Sequence, residues 1–385
     1  RMVGGVSTGL VGRDAELADV RSRALRNRLV TVVGPGGVGK TALARAAAEQ
    51  LAERFPLGVR HVDLTQIDDA GVVLGAIADQ LGFDSFEALL SSPNDRPVLL
   101  VVDNCEHLLD SVADALTQVL GACHQPTVLA TSRSPLELPG ESIVSLAPLG
   151  VPREEDDPTA CASVQLFLER CAQAGAEIGP TDLPAVVELC QQLDGLPLAI
   201  EIAAARSRSL SVAEIAQRLR GSVDVLQRPR FRGDPRHRSV ADTIRWSYDL
   251  LSPAAADLLD HLSVFNGPFT AASAAAVVRE EQRAALDTDL EELVSASLVN
   301  VDTGGPQTRY RLLDTVRRFA RARLEERHGV AAAHDRFTDH VLAGVREIIA
   351  GGGKTWRPTI ASDLLATFDD ISAALRWCLE HDTEP

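Results

Sequence analysis

With 385 residues, 45% of them hydrophobic, and a mean hydropathy of +0.02, the chain can fill the cores of two to four domains. No apolar run approaches the roughly 18 residues of a membrane-spanning helix. A net charge of −16 argues against bulk nucleic-acid binding, while leaving room for a local basic face.

The six cysteines (Cys105, Cys123, Cys161, Cys171, Cys190 and Cys378) show neither CxxC nor metal-ligand spacing, and read as buried or free thiols of a reducing, cytoplasmic compartment. Residues 1–9 lack a charged-then-apolar leader and read as a frayed end. Val11-Gly12-Arg13 then precedes a helical pattern that Asp14 could cap.

The stretch 29–43, LVTVVGPGGVGKTAL, organises everything after it. Leu29–Val33 is a β-branched apolar run, expected as a buried strand. Residues 34–41 satisfy G-x-x-x-x-G-K-[ST] at every fixed position, and an Ala-rich helical pattern follows over 42–52. Gly34, Gly36, Gly37 and Gly39 let the backbone curl its N–H groups inward, with Val38 between them and Ala42 on the first helical turn. Those N–H groups and the positive helix end make a polyphosphate site. Lys40 would reach the β- and γ-phosphates, and the Thr41 hydroxyl would bind Mg²⁺. The plain alternative is an ordinary glycine turn between strand and helix, which would not need the full motif with its Lys-Thr pair.

Further strand and helix signals alternate. A strand is expected over 58–67 and a helix over 70–81. Residues 97–104, PVLLVVDN, form a continuous apolar run closed by an acid, the expected Walker B strand with Asp103 as second magnesium ligand. The next position, where many such ATPases carry a second acid to activate water, is Asn104, which cannot take a proton. Glu106 could stand in if the loop turned it inward, so slow hydrolysis is expected. Residues 126–132, PTVLATS, give another buried strand, followed by Arg133, a residue suited to sensing a γ-phosphate or else a plain surface arginine. A strand over 141–149 completes an alternating pattern that predicts a parallel sheet with helices on both faces. The phosphate site would lie at the carboxyl ends of its strands.

An acidic, Pro-rich break over 151–159 reads as a linker, and 160–220 is helical, interrupted by Gly195-Leu196-Pro197. The arginine-rich run 218–238 reads as an exposed linker, or alternatively as a partner-facing basic loop. Residues 240–326 give four helical patterns, two short strands around a Gly-Gly-Pro turn and a closing helix, the plan of a winged helix. Such domains can bind DNA, which keeps that function open. The acidic charge and the direct junction to a nucleotide-binding module weigh against DNA here. Residues 330–385 are helical and look like the entry to a helical array.

The ordered set LVGRDAEL, GPGGVGKTAL, VLLVVDNCEHL, ATSR, GLPLAI and YRLLDTVRRFA resembles the STAND class of signal-transduction ATPases, in its NB-ARC form found in bacterial SARP- and LuxR-like transcriptional regulators. The resemblance implies a P-loop nucleotide-binding domain over 1–150, an all-α domain over 151–236, a winged-helix domain over 237–328 and the start of a TPR-like region over 329–385. It implies an ATP/ADP switch with Mg²⁺, closed with ADP and opening to a homo-oligomer with ATP, and governing effector and sensor domains outside this stretch. It implies that Val11 and Arg13 lie near the adenine, that Pro197 packs on the nucleotide and that Arg133 senses the γ-phosphate. The family's Met-His-Asp motif falls on Leu312, Leu313 and Asp314, so leucine stands where relatives use histidine toward the ADP phosphate.

Overall fold

The computed structural model describes residues 10–64, 67, 72–83, 97–122, 126–153, 157–221, 240–304, 307–327, 329–351 and 368–381. Residues 1–9 and most of the arginine-rich run (222–238) lie outside them. The chain divides into two compact units, Arg1–Thr243 and Ile244–Pro385.

The first unit is built on a five-stranded parallel sheet: β1 (Leu29–Val33), β2 (Val59–Asp63), β3 (Val98–Asp103), β4 (Pro126–Ser132) and β5 (Glu141–Ser145), in the order β2-β3-β4-β1-β5. The sheet interior is apolar because β1 is buried at all five positions and β3 at its first five, as strands covered on both faces must be. Around it lie α1 (Asp14–Ala24), α2 (Lys40–Leu51), α3 (Val73–Gln80) and α4 (Leu109–Ala122). Leu29, Leu100, Val102, Leu116, Val119 and Val128 belong to one apolar cluster that joins strands to α4. This is the α/β P-loop architecture expected from the alternating pattern. The strands at 58–67 and 141–149 are shorter than expected, because β2 ends at Asp63 and β5 at Ser145.

Four helices complete the first unit: α5 (Ala162–Ala174), α6 (Leu183–Gln192), α7 (Pro197–Arg206) and α8 (Val212–Gly221). Pro197 opens α7 at its first turn, where a missing N–H costs nothing. The turn before it is tightly docked. Gly195 has φ +65°, and a Cβ there would come 2.0 Å from the Leu149 carbonyl oxygen. The Leu149 N–H donates to the Gly195 carbonyl at 3.0 Å.

The second unit takes up within α9 (Val240–Asp249) and continues as α10 (Pro253–Leu262), α11 (Ala271–Val277) and α12 (Leu286–Ser295). The antiparallel ribbon β6 (Val299–Asp302) and β7 (Arg309–Leu312) follows, then α13 (Asp314–Glu326). Ser252 caps α10 through its side chain, with Pro253 at the first position, and Thr270 caps α11. Helices followed by a ribbon give the winged-helix fold. Two further helices, α14 (Val330–Gly351) and α15 (Phe368–His381), stand at the carboxyl end of the described chain. Among the described residues no helix is long and apolar enough to cross a membrane.

Candidate functional site

The site is assembled by the sheet order. Strands β3, β4 and β1 are adjacent and parallel, so their carboxyl ends deliver Asp103, Arg133 and the loop 34–39 to one edge of the sheet. The loop leads straight into α2, whose N-cap is Gly39 and which has no side-chain cap. The first N–H groups of such a helix have no intrahelical acceptor. The structure therefore offers the anion donors that the motif calls for.

Lys40 is 8% exposed and folds back over the loop, donating to the Gly34 carbonyl at 2.7 Å and the Pro35 carbonyl at 3.2 Å. Burial pushes its ammonium down to about 8, opposed chiefly by the charge of Glu106. Thr41 Oγ1 donates to Asp103 Oδ1 at 2.9 Å. Thr131 Oγ1 donates to the same oxygen at 2.5 Å and accepts from the Asn104 N–H at 2.9 Å. Asn104 takes a left-handed φ of +73°, which Asn tolerates better than most residues. It starts the short turn Cys105–His107 that carries Glu106.

Glu106 and Arg133 form a buried ion pair, Nε to Oε1 at 3.2 Å, with side chains 7% and 6% exposed. The sequence left two roles open for them, a water-activating acid and a phosphate sensor; the fold couples the two. The Arg133 guanidinium also lies against the loop, because a Cβ on Gly36 would come 3.3 Å from its Nη2. Arg133 is therefore no plain surface arginine.

Helix α7 closes one side of the loop. The Leu198 N–H donates to the Gly37 carbonyl at 3.1 Å, and a Cβ on Gly37, at φ +77°, would come 2.9 Å from the Leu198 Cβ. Pro197 thus sits one residue from a direct loop contact. Val38 is buried, while Ala42 is exposed on the outer face of α2. Val11 is half-buried. Arg13 is 6% exposed, its guanidinium donating to Glu16 Oε1 at 2.7 Å and to the Ala147 carbonyl at 2.6 Å.

In the second unit Asp314 opens α13, and its Oδ1 accepts from Arg317 Nη2 at 3.1 Å and Nε at 3.3 Å. Arg317 Nη1 continues to Asn266 Oδ1 at 2.6 Å, and the Asn266 N–H donates to Asp370 Oδ1 at 3.0 Å. Leu313, at the histidine position of the resembled motif, is 8% exposed and counted in the apolar core.

The fold brings the charged pair and the loop to one edge of the sheet. Lys40, Arg133 and the uncapped helix are donors that could meet phosphate oxygens, and Thr41 beside Asp103 offers hard oxygens of the kind Mg²⁺ takes. The role of Thr131 escaped sequence reasoning. A hydroxyl at the end of an otherwise apolar strand was the available signal, but only the β3–β4 pairing shows which carboxylate it meets.

Two family models match: an AAA ATPase domain over residues 9–131 and a winged helix-turn-helix domain over residues 251–325. The putative HTH-type transcriptional regulator Rv0890c of Mycobacterium tuberculosis is 36% identical over 380 residues, covering 95% of this chain and 41% of its own length. This chain therefore spans about two fifths of that relative. The protein Rv0894 of the same organism is 33% identical over 363 residues, covering 90% of this chain and 89% of its own length. Among solved structures, the Walker-type ATPase of Pyrococcus abyssi matches with a TM-score of 0.52 and 14% identity, over 81% of this chain and 96% of that one. An ATPase module followed by a winged helix bears out the order of motifs on which the family resemblance rests.

Proposed function

The chain belongs to the family of ATPase and winged-helix proteins that includes Rv0894 and the putative HTH-type transcriptional regulator Rv0890c, and from that premise we propose that it works as a regulatory ATP/ADP switch with slow hydrolysis. The observation that carries the reading is the convergence of Lys40, the Thr41–Asp103 pair and the Glu106–Arg133 pair on one glycine loop. Bound Mg²⁺ would supply charge neutralisation at the phosphates. Thr41 and Asp103 are the residues that would hold it, and Thr131 donates to the Asp103 carboxylate that would serve as its ligand. Lys40 would exchange its two loop carbonyls for phosphate oxygens, and α7 would exclude water on the side of Leu198. Asn104 supports slow turnover, since its amide cannot accept a proton and its backbone N–H is committed to Thr131. Domain limits at 150, 236 and 328 and the closed-with-ADP, NB-ARC-like cycle belong to this same proposal.

Calorimetry with ATP and ADP in the presence of Mg²⁺ tests it. The parent chain should bind both, and Lys40→Ala should weaken both by tenfold or more, because a charge-assisted contact is worth ~1.5–3 kcal/mol. Equal affinity in the variant sinks the assignment of this loop. Steady-state phosphate release should fall well below the ~1–100 s⁻¹ of kinases.

A second reading, a winged-helix DNA reader that uses ATP for assembly, is favoured by the helix-turn-helix match at 251–325. The third helix of the winged helix, α12, reads LDTDLEELVS and carries Asp287, Asp289, Glu291 and Glu292 with no basic residue. A helix of that charge would repel a phosphate backbone. The switch reading is therefore preferred.

A further inference from the structure

We infer that Asp63, at the carboxyl end of the edge strand β2, orients the water that attacks the terminal phosphate, the task for which position 104 has no acid. The inference rests on the switch reading above and deepens it by naming the group that receives the proton in its slow hydrolysis.

The placement follows from strand register. Strands β2 and β3 are parallel neighbours, and their register pairs Asp63 with Asp103. One residue back, the paired Val62 and Val102 both lie in the apolar cluster with Val73 and Ile77 of α3 and Leu116 of α4. Side chains alternate along a strand, so Asp63 and Asp103 both stand on the opposite face, that of α2. Two observations agree. Asp103 meets Thr41, on the first turn of α2, at 2.9 Å. His61, which shares the face of Asp63, lies near enough to α2 to feel the charges of Arg45 and Glu49, as well as that of Asp103. Neighbouring strands are about 4.8 Å apart. One water with two hydrogen bonds of about 2.7 Å spans two carboxylates at roughly that separation. Register therefore sets Asp63 one water away from the carboxylate that would hold Mg²⁺.

Chemistry selects Asp63 among the acids at this edge. The Thr41 and Thr131 hydroxyls both donate to Asp103 Oδ1, and Asp103 is the residue to serve the ion. Glu106 is nearly sealed from solvent and gives Oε1 to Arg133, so a proton taken there would break that pair. Asp63 is exposed, so it can take a proton and pass it to solvent. In the step, the water oxygen bonds to the γ-phosphorus while the bond to the β,γ-bridging oxygen breaks. The electron pair stays on that oxygen of ADP, the water's proton goes to the Asp63 carboxylate, and inorganic phosphate leaves. Asp63 reaches in from the next strand on a short side chain, which keeps turnover slow.

The test compares single-turnover phosphate release with nucleotide affinity in the parent chain, Asp63→Asn and Asp63→Glu. Asparagine keeps the shape and removes the proton acceptor. At saturating Mg²⁺ and ATP, Asp63→Asn should slow release by about tenfold or more, since general-base contributions run ~10²–10⁴-fold. Its calorimetric affinities for ADP and for a non-hydrolysable ATP analogue, both with Mg²⁺, should stay at the parent's. Asp63→Glu keeps the carboxylate on a longer arm, and should match or exceed the parent's rate. An unchanged rate in Asp63→Asn overturns the inference. So does a loss of Mg²⁺-dependent affinity that matches the loss of rate, which would make Asp63 part of the ion's shell. A loss of rate in Glu106→Gln with none in Asp63→Asn returns the role to Glu106. Should Asp63→Asn fail to fold, Asp63→Glu decides, and a rate about tenfold below the parent's at unchanged affinity contradicts the assignment. If the parent binds nucleotide and releases no phosphate above background, this inference fails while the nucleotide site stands. If the parent binds no nucleotide, the switch reading falls with it.

Discussion

Lys40 shows how burial alone can write a pH signature into a binding site. The folded chain holds its proton only to about pH 8, because desolvation penalises the ammonium more than Glu106 favours it, whereas the unfolded chain holds it to about 10.5. Between those values the unfolded state binds more protons, so this residue's penalty on stability is relieved as pH rises. The relief amounts to about 3 kcal/mol when the shift is converted at ~1.4 kcal/mol per unit. Nucleotide affinity should move the other way, since a phosphate needs the charged form: flat below pH 7, then falling by about tenfold per unit above 8. Calorimetry and denaturant melts of the parent and Lys40→Ala from pH 6 to 10 check both slopes. Affinity and the parent-minus-variant stability difference rising together with pH would contradict the assignment.

The turn that carries Gly195 and Pro197 joins two pieces of the first unit that sequence order keeps far apart. Gly195 and Gly175 have nearly the same backbone, φ +65° and +77°, yet different surroundings. A Cβ on Gly175, the C-cap of α5, meets nothing within 4 Å, while one on Gly195 meets the Leu149 carbonyl oxygen at 2.0 Å. Gly175→Ala should therefore cost only the left-handed conformational penalty, about 1 kcal/mol. Gly195→Ala adds displacement of backbone against backbone and should cost at least about 2 kcal/mol. Urea melts of the two variants compare them directly; equal losses would mean that the turn is not held against Leu149. Because Leu198 N–H bonds to Gly37, Gly195→Ala should also weaken ATP binding, and Gly175→Ala should not.

For the whole chain, charge is the property that reaches furthest. A net charge of −16 and the acidic α12 together predict no tight binding of random duplex DNA at physiological salt, because such binding rests on phosphate neutralisation. A gel shift at low-micromolar protein in that salt would revive the DNA-reading alternative. The chain spans only 41% of Rv0890c, so the test speaks to this stretch and leaves that relative's remaining length aside.

Much of this was legible in the sequence because it is local. The strand, loop and helix of 29–51 follow one another without a break, and the apolar run ending in Asp103 announces itself by composition. The ribbon after α12 was likewise readable, from two short strands around a Gly-Gly-Pro turn. What only the tertiary structure decided is pairing at long range. Sequence order cannot say that β4 lies between β1 and β3, since each parallel crossover can place the next strand on either side. That order is what brings Arg133 to Glu106, 27 residues away, and Thr131 to Asp103. Nor could it say that Leu313 lies in the core of the second unit or that Asp314 is held by Arg317. A motif fixes which residues are available for chemistry; burial and strand register determine which of them meet, because a desolvated charge takes whichever partner the fold places within reach.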